Sequence, residues 1–483
     1  MYNLKSVVTA FAAIWLLASC VGGYQKPDTY AKTQPRIFPD YTGVTLPCNI
    51  APTNFRIDQE GDAYQVVITA DGKEYYRLAS SDNEVSIPED SWHEMLDACK
   101  GKRFSITVGV ERGGKWTEYR PITNYVSADT IDSYLAYRLL YPGYELWNEM
   151  GIYQRNLTNF DETPILENRD FGKQCVNCHT FRQNSTSDFM LHVRGKNGGT
   201  LISHNGNVRK VTPKCATVNM GATYAGWHPS GQFIAFSMNE IQQFFHSSGK
   251  KPIEVSDLAA DLGVYDIARD EIITSPYLSG DSAMETFPAW SPDGSTLFFC
   301  RGNAYTKDTP LDSIRYDLWR VGFDAKTRSF GKPECVYKAS ATHHTVSLPR
   351  VSPDGRYVVF VEFDYGNFSI WHTEADLAML DLKTGRVRRL DELNSNNVES
   401  FHTWSSTGHW LVFSSKRMDG GWARPYFAHF DSVKGVFSKP FVLPQESPSF
   451  YDTFMKTYNL PELITAPVVN QKGLLEAIGF GRQ

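Results

Sequence analysis

Four short turns of one type recur between residues 227 and 408, and they constrain the fold more than any other feature. Each follows a large apolar residue, ends in glycine and precedes a hydrophobic strand. They are Trp227-His228-Pro229-Ser230-Gly231, Trp290-Ser291-Pro292-Asp293-Gly294, Val351-Ser352-Pro353-Asp354-Gly355 and Trp404-Ser405-Ser406-Thr407-Gly408. Proline presets φ, aspartate bonds its own backbone, and glycine accepts a positive φ. Each turn therefore predicts a tight β-hairpin.

A second hairpin follows each of these turns, built as a strand, a polar turn and a strand. Examples are GVYDIARDEIITS, LWRVGFDAKTRSFGKP, LAMLDLKTGRVRRL and YFAHFDSVKGVFSKP. Two hairpins make the four strands of a propeller blade. Two upstream hairpins of the second kind, MGIYQRNLTNFDETPIL and GGTLISHNGNVRKV, raise the predicted number of blades to six. Blade one lacks an innermost strand, so we expect the segment near NLPELITAPVV to return and close the ring.

These repeated turns resemble those of TolB-type, WD-like propellers, including envelope lipoproteins of Bacteroidetes. The resemblance implies a six-bladed β-propeller over residues 134–475 and leaves the activity open, because one fold serves many functions. The alternative is another all-β arrangement.

A smaller β-rich unit is predicted before the propeller. Residues 45–128 contain short alternating strands separated by turns such as Ala70-Asp71-Gly72, a pattern typical of an immunoglobulin- or fibronectin-like β-sandwich. The whole chain is therefore expected to be all-β. Cys48 and Cys99 flank this unit, and their spacing leaves open whether they form a disulfide.

The first twenty residues carry an export signal. Lys5 precedes an apolar stretch too short to span a bilayer, and Leu17-Ala18-Ser19-Cys20 resembles a bacterial lipobox. We expect residues 1–19 to be a lipoprotein signal peptide, Cys20 to be lipidated and residues 20–44 to be a tether. The alternative is ordinary signal cleavage. The expected location is the bacterial cell envelope, lipid-anchored on the periplasmic side, and a net charge of −6 argues against a nucleic-acid partner.

One motif in the sequence indicates a site for a bound group. Cys175-Val176-Asn177-Cys178-His179 is a C-x-x-C-H, as in c-type cytochromes, where both thiols bond the haem and the histidine ligates its iron. The motif predicts one covalent haem c on Cys175 and Cys178 with His179 as an axial ligand. A redox disulfide, a zinc site and a relic that has lost its haem are the alternatives. Residues 175–179 are expected in an exposed loop between blades one and two.

A six-coordinate iron needs a second axial ligand. Met190, His192 and Arg194 share one face of a predicted strand, because side chains alternate along a strand. His192 or Met190 is the candidate distal ligand, and Arg194 is a candidate partner for a haem propionate. The alternative for His192 is a partly buried sheet residue.

A second candidate site lies in the propeller channel. A hydroxyl stands four positions before each of the four turns, at Thr223, Thr286, Ser347 and Ser400. Glu285 and Glu399 precede two of these hydroxyls, and His344 and His402 are near in sequence, so these four residues could form a ligand or metal site. The alternative is that each hydroxyl bonds a neighbouring blade.

Three functions follow from these patterns. The first is an envelope-anchored haem protein in electron transfer or in redox or ligand sensing, with redox or envelope protein partners. The second is a haem-free TolB-like module that binds envelope proteins or glycans. The third is an enzyme that uses haem or a metal in the channel, and the sequence has no nucleophile elbow, phosphate-binding loop or H-E-x-x-H motif to support it.

Overall fold

The computed structural model describes residues 24–142, 149–213, 221–247 and 251–480. The predicted signal peptide and Cys20 lie outside these residues. Within the described ranges, no helix has both the length and the apolar character that a membrane span needs.

The N-terminal unit contains ten strands and one helix, and its two sheets share one core. The strands are β1 (Thr29–Tyr30), β2 (Ile37–Phe38), β3 (Thr45–Leu46), β4 (Phe55–Ile57), β5 (Ala63–Ala70), β6 (Lys73–Ser80), β7 (Glu84–Val85), β8 (Lys102–Arg112), β9 (Lys115–Glu118) and β10 (Ile122–Val126). The larger sheet is built on the pairs β5–β6, β5–β8, β8–β9 and β8–β10, with β1 and β3 added in parallel, and the smaller sheet has the order β2-β4-β7.

Helix α1 (Glu89–Ala98) was not anticipated from the sequence. It buries Trp92, whose ring meets Phe104 edge-on at 5.8 Å and whose indole N–H donates to Ile50 O at 2.9 Å. Cys48 and Cys99 are both buried and remain separate thiols rather than a disulfide.

The predicted tether is corrected by the structure. Residues from Tyr24 onward pack on the N-terminal unit: Gln25 N donates to Gln65 Oε1 at 2.9 Å, β1 pairs with β9, and Tyr41 is completely buried. Burial of apolar residues in this segment holds it against the sheets. The folded unit therefore begins about twenty residues before the predicted position 45.

The propeller strands follow in chain order. Blades one to three contain β11 (Tyr134–Leu140), β12 (Met150–Asn156), β13 (Glu162–Glu167), β14 (Val176–Arg182), β15 (Ser185–Val193), β16 (Gly199–His204), β17 (Asn207–Val211), β18 (Gly221–Trp227), β19 (Phe233–Phe245), β20 (Ile253–Asp266) and β21 (Glu271–Ile273). Blades four to six contain β22 (Ala283–Trp290), β23 (Thr296–Asn303), β24 (Tyr316–Asp324), β25 (Ser329–Phe330), β26 (Glu334–Tyr337), β27 (Thr345–Val351), β28 (Tyr357–Phe363), β29 (Asp376–Asp381), β30 (Arg386–Arg389), β31 (Glu399–Trp404), β32 (Trp410–Ser415), β33 (Arg424–Asp431), β34 (Val436–Phe437) and β35 (Phe441–Val442). Helix α2 (Phe450–Thr453), β36 (Thr457–Ile464) and helix α3 (Gln471–Ile478) end the described chain, and short 3₁₀ turns occupy Asn168–Phe171, Leu311–Ser313, Ala339–Thr342 and Ser369–Trp371.

These strands form six antiparallel sheets of four or five strands, which are numbered here as blades one to six. The four repeated turns hold their glycines at positive φ, between 73° and 74°, where only glycine avoids a Cβ penalty. The hairpin turns seen in the sequence therefore set the spacing of the blades.

The ring closes as expected. Strand β36 pairs with β11, so the sheet of blade one has the order β13-β12-β11-β36 and takes its innermost strand from the other end of the chain. The innermost strands β36, β14, β18, β22, β27 and β31 contact one another in turn, and β31 returns to β36. Strand β36 thereby covers the inner edge of β11, which would otherwise lack a strand partner.

Helix α3 and the N-terminal unit both pack against the ring of blades. Helix α3 packs on β13, β16 and β17 and so bridges blades one and two. The N-terminal unit lies against blade six: Lys439 Nζ bonds Asp40 at 2.8 Å, Asn54 donates to Glu446 O at 2.9 Å, and Asp132 accepts from Ser406 N at 2.8 Å.

Candidate ligand site at one mouth of the propeller channel

All six innermost strands carry the same irregularity, a β-bulge of one extra residue. The register shifts lie at Asn177/Thr180, Ala222/Ala225, Thr286/Ala289, Ser347/Arg350, Ser400/Thr403 and, for β36, opposite Ala136/Arg138. In five strands the bulged residue has a positive φ; these residues are Cys178, Phe287, Leu348, Phe401 and Leu460. A bulge re-aims the side chain that it carries, and Cys178, Phe401 and Leu460 of these residues line one cavity, together with Tyr224 of blade three.

The C-x-x-C-H motif is part of this pattern. Cys178 stands where the other blades place Tyr224, Phe287, Leu348, Phe401 and Leu460. Asn177, one residue earlier, completes the ring of Thr223, Thr286, Ser347, Ser400 and Asn459. The predicted exposed loop is thus corrected: residues 176–179 belong to the innermost strand of blade two, because the hairpin to β15 continues through them.

Cys175 and Cys178 line one cavity, of about 170 Å³, at one mouth of the channel. Both thiols are half-buried and neither is in a disulfide. The cavity walls are otherwise mostly apolar and aromatic, and they include Leu140, Tyr141, Met150, Tyr224, Ile241, Phe368, Ile370, Phe401 and Leu460. A concave, largely apolar pocket with a few convergent polar groups is the usual form of a ligand site.

Two arginines belong to the same cavity. Arg138 of β11 and Arg194, just after β15, both line it, and Arg194 N donates to Cys175 O at 2.8 Å. Burial raises the pKa of the Cys178 thiol, and the charges of Arg138 and Arg194 oppose that rise. Burial also lowers the pKa of Arg138. The cavity therefore combines two thiols with two cationic groups.

His179 lies outside the cavity wall. It is 5% exposed and meets Phe181 edge-on at 5.9 Å, and neither ring nitrogen makes a hydrogen bond of ordinary geometry among the described residues. Burial first, and then the charge of Arg138, lower its pKa to about 3, against a small opposing effect from the Leu460 backbone. The imidazole is thus neutral and buried beside β36, while the two thiols face the cavity.

The predicted distal ligands are not brought to the thiols. His192 Nε2 pairs with Thr223 O at 2.7 Å and Nδ1 with Thr200 Oγ1 at 3.0 Å, and burial lowers its pKa to about 4. Met190 is completely buried in an apolar cluster with Trp227 and Phe236. Neither residue lines the thiol cavity, so the structure corrects their assignment as iron ligands and favours the sheet-residue alternative for His192.

The predicted channel site is also corrected. Glu285 pairs with Arg301 at 3.1 Å, and burial raises its pKa to about 8. Glu399 pairs with Arg417 at 3.1 Å and accepts from Ser395 and Ser415. Because each carboxylate is engaged within its own blade, the two do not converge on one ligand.

The two histidines of that predicted site lie apart from the carboxylates. His402 is buried and bonds Val359 O at 2.9 Å through Nε2, and His344 is half-buried beside Thr342. The channel hydroxyls bond across blades instead, as in Ser237 Oγ to Thr286 Oγ1 at 2.9 Å and Ser369 to Ser400 at 3.1 Å. These contacts support the alternative that the hydroxyl ring is a packing feature.

A separate group lies where the N-terminal unit meets blade six. Ligand atoms of Asp129, His409 and His429 lie within 4.8 Å of one another, and His429 Nε2 bonds Asp129 Oδ2 at 2.8 Å. This contact holds the inter-domain segment against blade six. The sequence did not indicate this group of three residues, because they are up to 300 positions apart in the chain.

The fold and the cavity together define a β-propeller with a dithiol pocket on its axis. No protein-family model matches the sequence, and no curated protein matches it. Three of the solved structures that are similar to it show the level of likeness. They are a hypothetical selenium-binding protein from Sulfolobus tokodaii (8% identity, 69% of this chain and 94% of that one, TM-score 0.43), a puromycin-hydrolyzing peptidase from Mycobacterium tuberculosis (13%, 83% and 57%, TM-score 0.37) and an oligogalacturonate lyase from Vibrio parahaemolyticus (11%, 61% and 82%, TM-score 0.34). Likeness at this level carries no argument about activity.

Proposed function

We propose that this chain is an envelope-anchored propeller that holds one haem c covalently through Cys175 and Cys178, for electron transfer or for redox or ligand sensing. The observation that carries the proposal is that both thiols of the C-x-x-C-H line a single cavity on the channel axis. The lipid anchor on Cys20 and the periplasmic location are part of the same proposal, since haem c attachment takes place after export.

Most of the cavity suits a haem. Its walls are apolar, as the porphyrin faces require, and Arg138 and Arg194 supply two guanidinium groups suited to two propionates. A haem bound there would supply one-electron redox chemistry or an iron site for a small ligand. The residues of this chain would bury it, hold it by two thioether bonds and pair its negative charges.

His179 is the one member of the motif that does not fit. Its ring lies beside β36 while the thiols face the cavity, so a strand conformation does not put all three groups on one side. The proposal therefore rests on the thiols, and the role of His179 is tested separately below.

The test uses the full chain purified from a strain competent for cytochrome c maturation. We expect haem-stained protein on a denaturing gel and an intact mass increased by one haem. Cys175→Ser with Cys178→Ser should lose both signals, and Cys335→Ser, at an exposed cysteine in β26, should keep them. A wild-type chain with unchanged mass and no haem absorbance would overturn the proposal.

A second candidate is a haem-free propeller that binds envelope proteins or glycans. The position of His179 away from the thiols favours it, because a c-type site places the imidazole on the iron. Partner capture that survives in the Cys175→Ser, Cys178→Ser variant, together with an unmodified wild-type mass, would establish this function instead.

A further inference from the structure

Lys416 is a buried lysine whose ammonium group has no hydrogen-bond acceptor among the described residues. It follows β32 directly and is 5% exposed. Its Nζ lies over the ring of Trp371, 3.0 Å from the ring centroid, and its backbone N–H is held by Val398 O at 3.2 Å. The aromatic face is the partner that the structure gives this charge.

The side chain of Lys416 lines a cavity of about 150 Å³ next to the thiol cavity. The two cavities share walls that include Arg138, Leu140 and Phe401. Much of the wall of the Lys416 cavity is apolar and includes Leu140, Ile253, Val255, Phe368, Ile370 and Val398. A cavity of roughly 150 Å³ lined by such residues takes up a benzene-sized molecule.

A lone ammonium group in such a cavity is costly, because burial removes its hydration without supplying acceptors. Burial lowers the pKa of Lys416 to about 7, and the charge of Asp419 opposes this shift. The other polar residues that line the cavity, among those the structure describes, are arginine, tyrosine, glutamine, asparagine, serine and threonine, and none of them is a carboxylate. An anionic ligand group would supply the hydrogen-bond acceptor that the ammonium group lacks.

We propose that this cavity binds a carboxylate group carried on an apolar body, with Lys416 as the charge partner of that carboxylate. The carboxylate is that of a free benzoate-sized acid, or it is a propionate of a haem in the adjoining cavity, which Lys416 would share with Arg138, the arginine that lines both cavities. The chemistry is the same in both cases: an ammonium–carboxylate hydrogen bond in an apolar site, which is stronger than the same bond at the surface.

The first arm of the test uses the haem-free Cys175→Ser, Cys178→Ser chain titrated calorimetrically with benzoate and with benzamide, its neutral analogue. We expect benzoate to bind about tenfold or more tightly than benzamide, because charge-assisted hydrogen bonds contribute more than neutral ones. At pH 8, binding should take up about one proton, seen by comparing buffers of different ionisation enthalpy, since a carboxylate raises the pKa of the amine.

Lys416→Met should abolish both the preference and the proton uptake, and Lys434→Met, at an exposed lysine, should leave both unchanged. Ile253→Trp, which fills the cavity and keeps Lys416, should block benzoate if the methionine variant fails to fold. Equal affinity for the two probes, or benzoate binding that survives both substitutions, would overturn the proposal.

The second arm repeats the benzoate titration with haem-loaded wild type. Loss of binding on haem loading identifies a propionate as the carboxylate, and retained binding identifies a free acid. If the wild-type chain takes up no haem, the haem proposal fails and the carboxylate cannot be a propionate. The proposal for Lys416 is still tested by the first arm, because that arm uses the haem-free chain.

Discussion

Cys178 and Leu460 occupy the same position in adjacent innermost strands of the ring. Each follows an asparagine, each has a positive φ (50° and 53°), and each lines the thiol cavity. One strand belongs to blade two and the other, from the end of the chain, completes blade one. The cysteine therefore replaces an apolar residue in a repeated backbone geometry instead of lying on an added loop.

This equivalence predicts that Cys178→Leu keeps the fold and removes haem attachment. Leucine already fills the matching site at Leu348 and Leu460, so the free energy of unfolding should change by less than about 1.5 kcal/mol. Chemical denaturation followed by tryptophan fluorescence measures the stability, and haem staining measures attachment. Loss of folding would show that blade two does not share the geometry of its neighbours.

His179→Leu separates the structural and iron-binding roles of this histidine. In the haem-free background the substitution should leave stability unchanged or raise it by about 1–3 kcal/mol, because it removes two buried nitrogens without partners. If His179 ligates iron in the haem-loaded protein, the variant should also lose the absorption spectrum of histidine ligation. An unchanged spectrum would exclude His179 as the axial ligand.

The burial of His402 predicts that the folded protein loses stability as the pH falls. Burial lowers its pKa to about 3, below the unfolded value of 6.5, so its contribution is present above pH 6.5 and is lost as the pH falls toward 3. The loss is up to about 1.4 kcal/mol per pH unit. His402→Gln keeps a donor for Val359 O and does not titrate, so its unfolding free energy should fall less between pH 6.5 and pH 5 than that of the wild type. Parallel pH profiles would contradict this assignment.

Asn184 is predicted to stabilise the seam of the ring. Its side-chain amide donates to Trp404 O at 2.9 Å and Leu463 O at 2.8 Å, joining the turn of blade two to blades six and one. Asn184→Gly accepts the same positive φ but loses both bonds, so urea denaturation should show a loss of about 1–3 kcal/mol. Asn205→Gly, at a turn with φ of 50° in the same blade, is the matched control and should change stability by less.

Much of the propeller was predictable because its signals are local. Each repeated turn specifies its hairpin through a glycine at positive φ, three of the four add proline and two add aspartate, and the return of β36 followed from counting strands. The packing of residues 24–44 was not predictable, since their Gly, Pro and Thr content is equally typical of a tether. Helix α1 was missed because its ten residues lie within a β-rich pattern.

The site was predictable only in part. C-x-x-C-H identified the two thiols, but their strand conformation depends on pairing with β15, and sequence spacing does not reveal that pairing. One signal was available: Asn177 stands four positions before Phe181, as Thr286 stands four before Trp290. Arg138 and Lys416 had no such signal, because they reach the channel mouth from opposite ends of the propeller sequence.

The sequence by itself determined the propeller hairpins and drew attention to Cys175 and Cys178, because turn chemistry, strand periodicity and motif spacing act over a few residues. Only the tertiary structure decided what surrounds those cysteines. Closure of the ring brings Arg138, Arg194, Leu460 and the Lys416 cavity together, turns His179 away from the thiols, and keeps Glu285 and Glu399 in their own blades. These outcomes depend on contacts between residues far apart in the chain. At such contacts the burial of side chains and the pairing of charges and strands outweigh the local conformational preferences of the sequence.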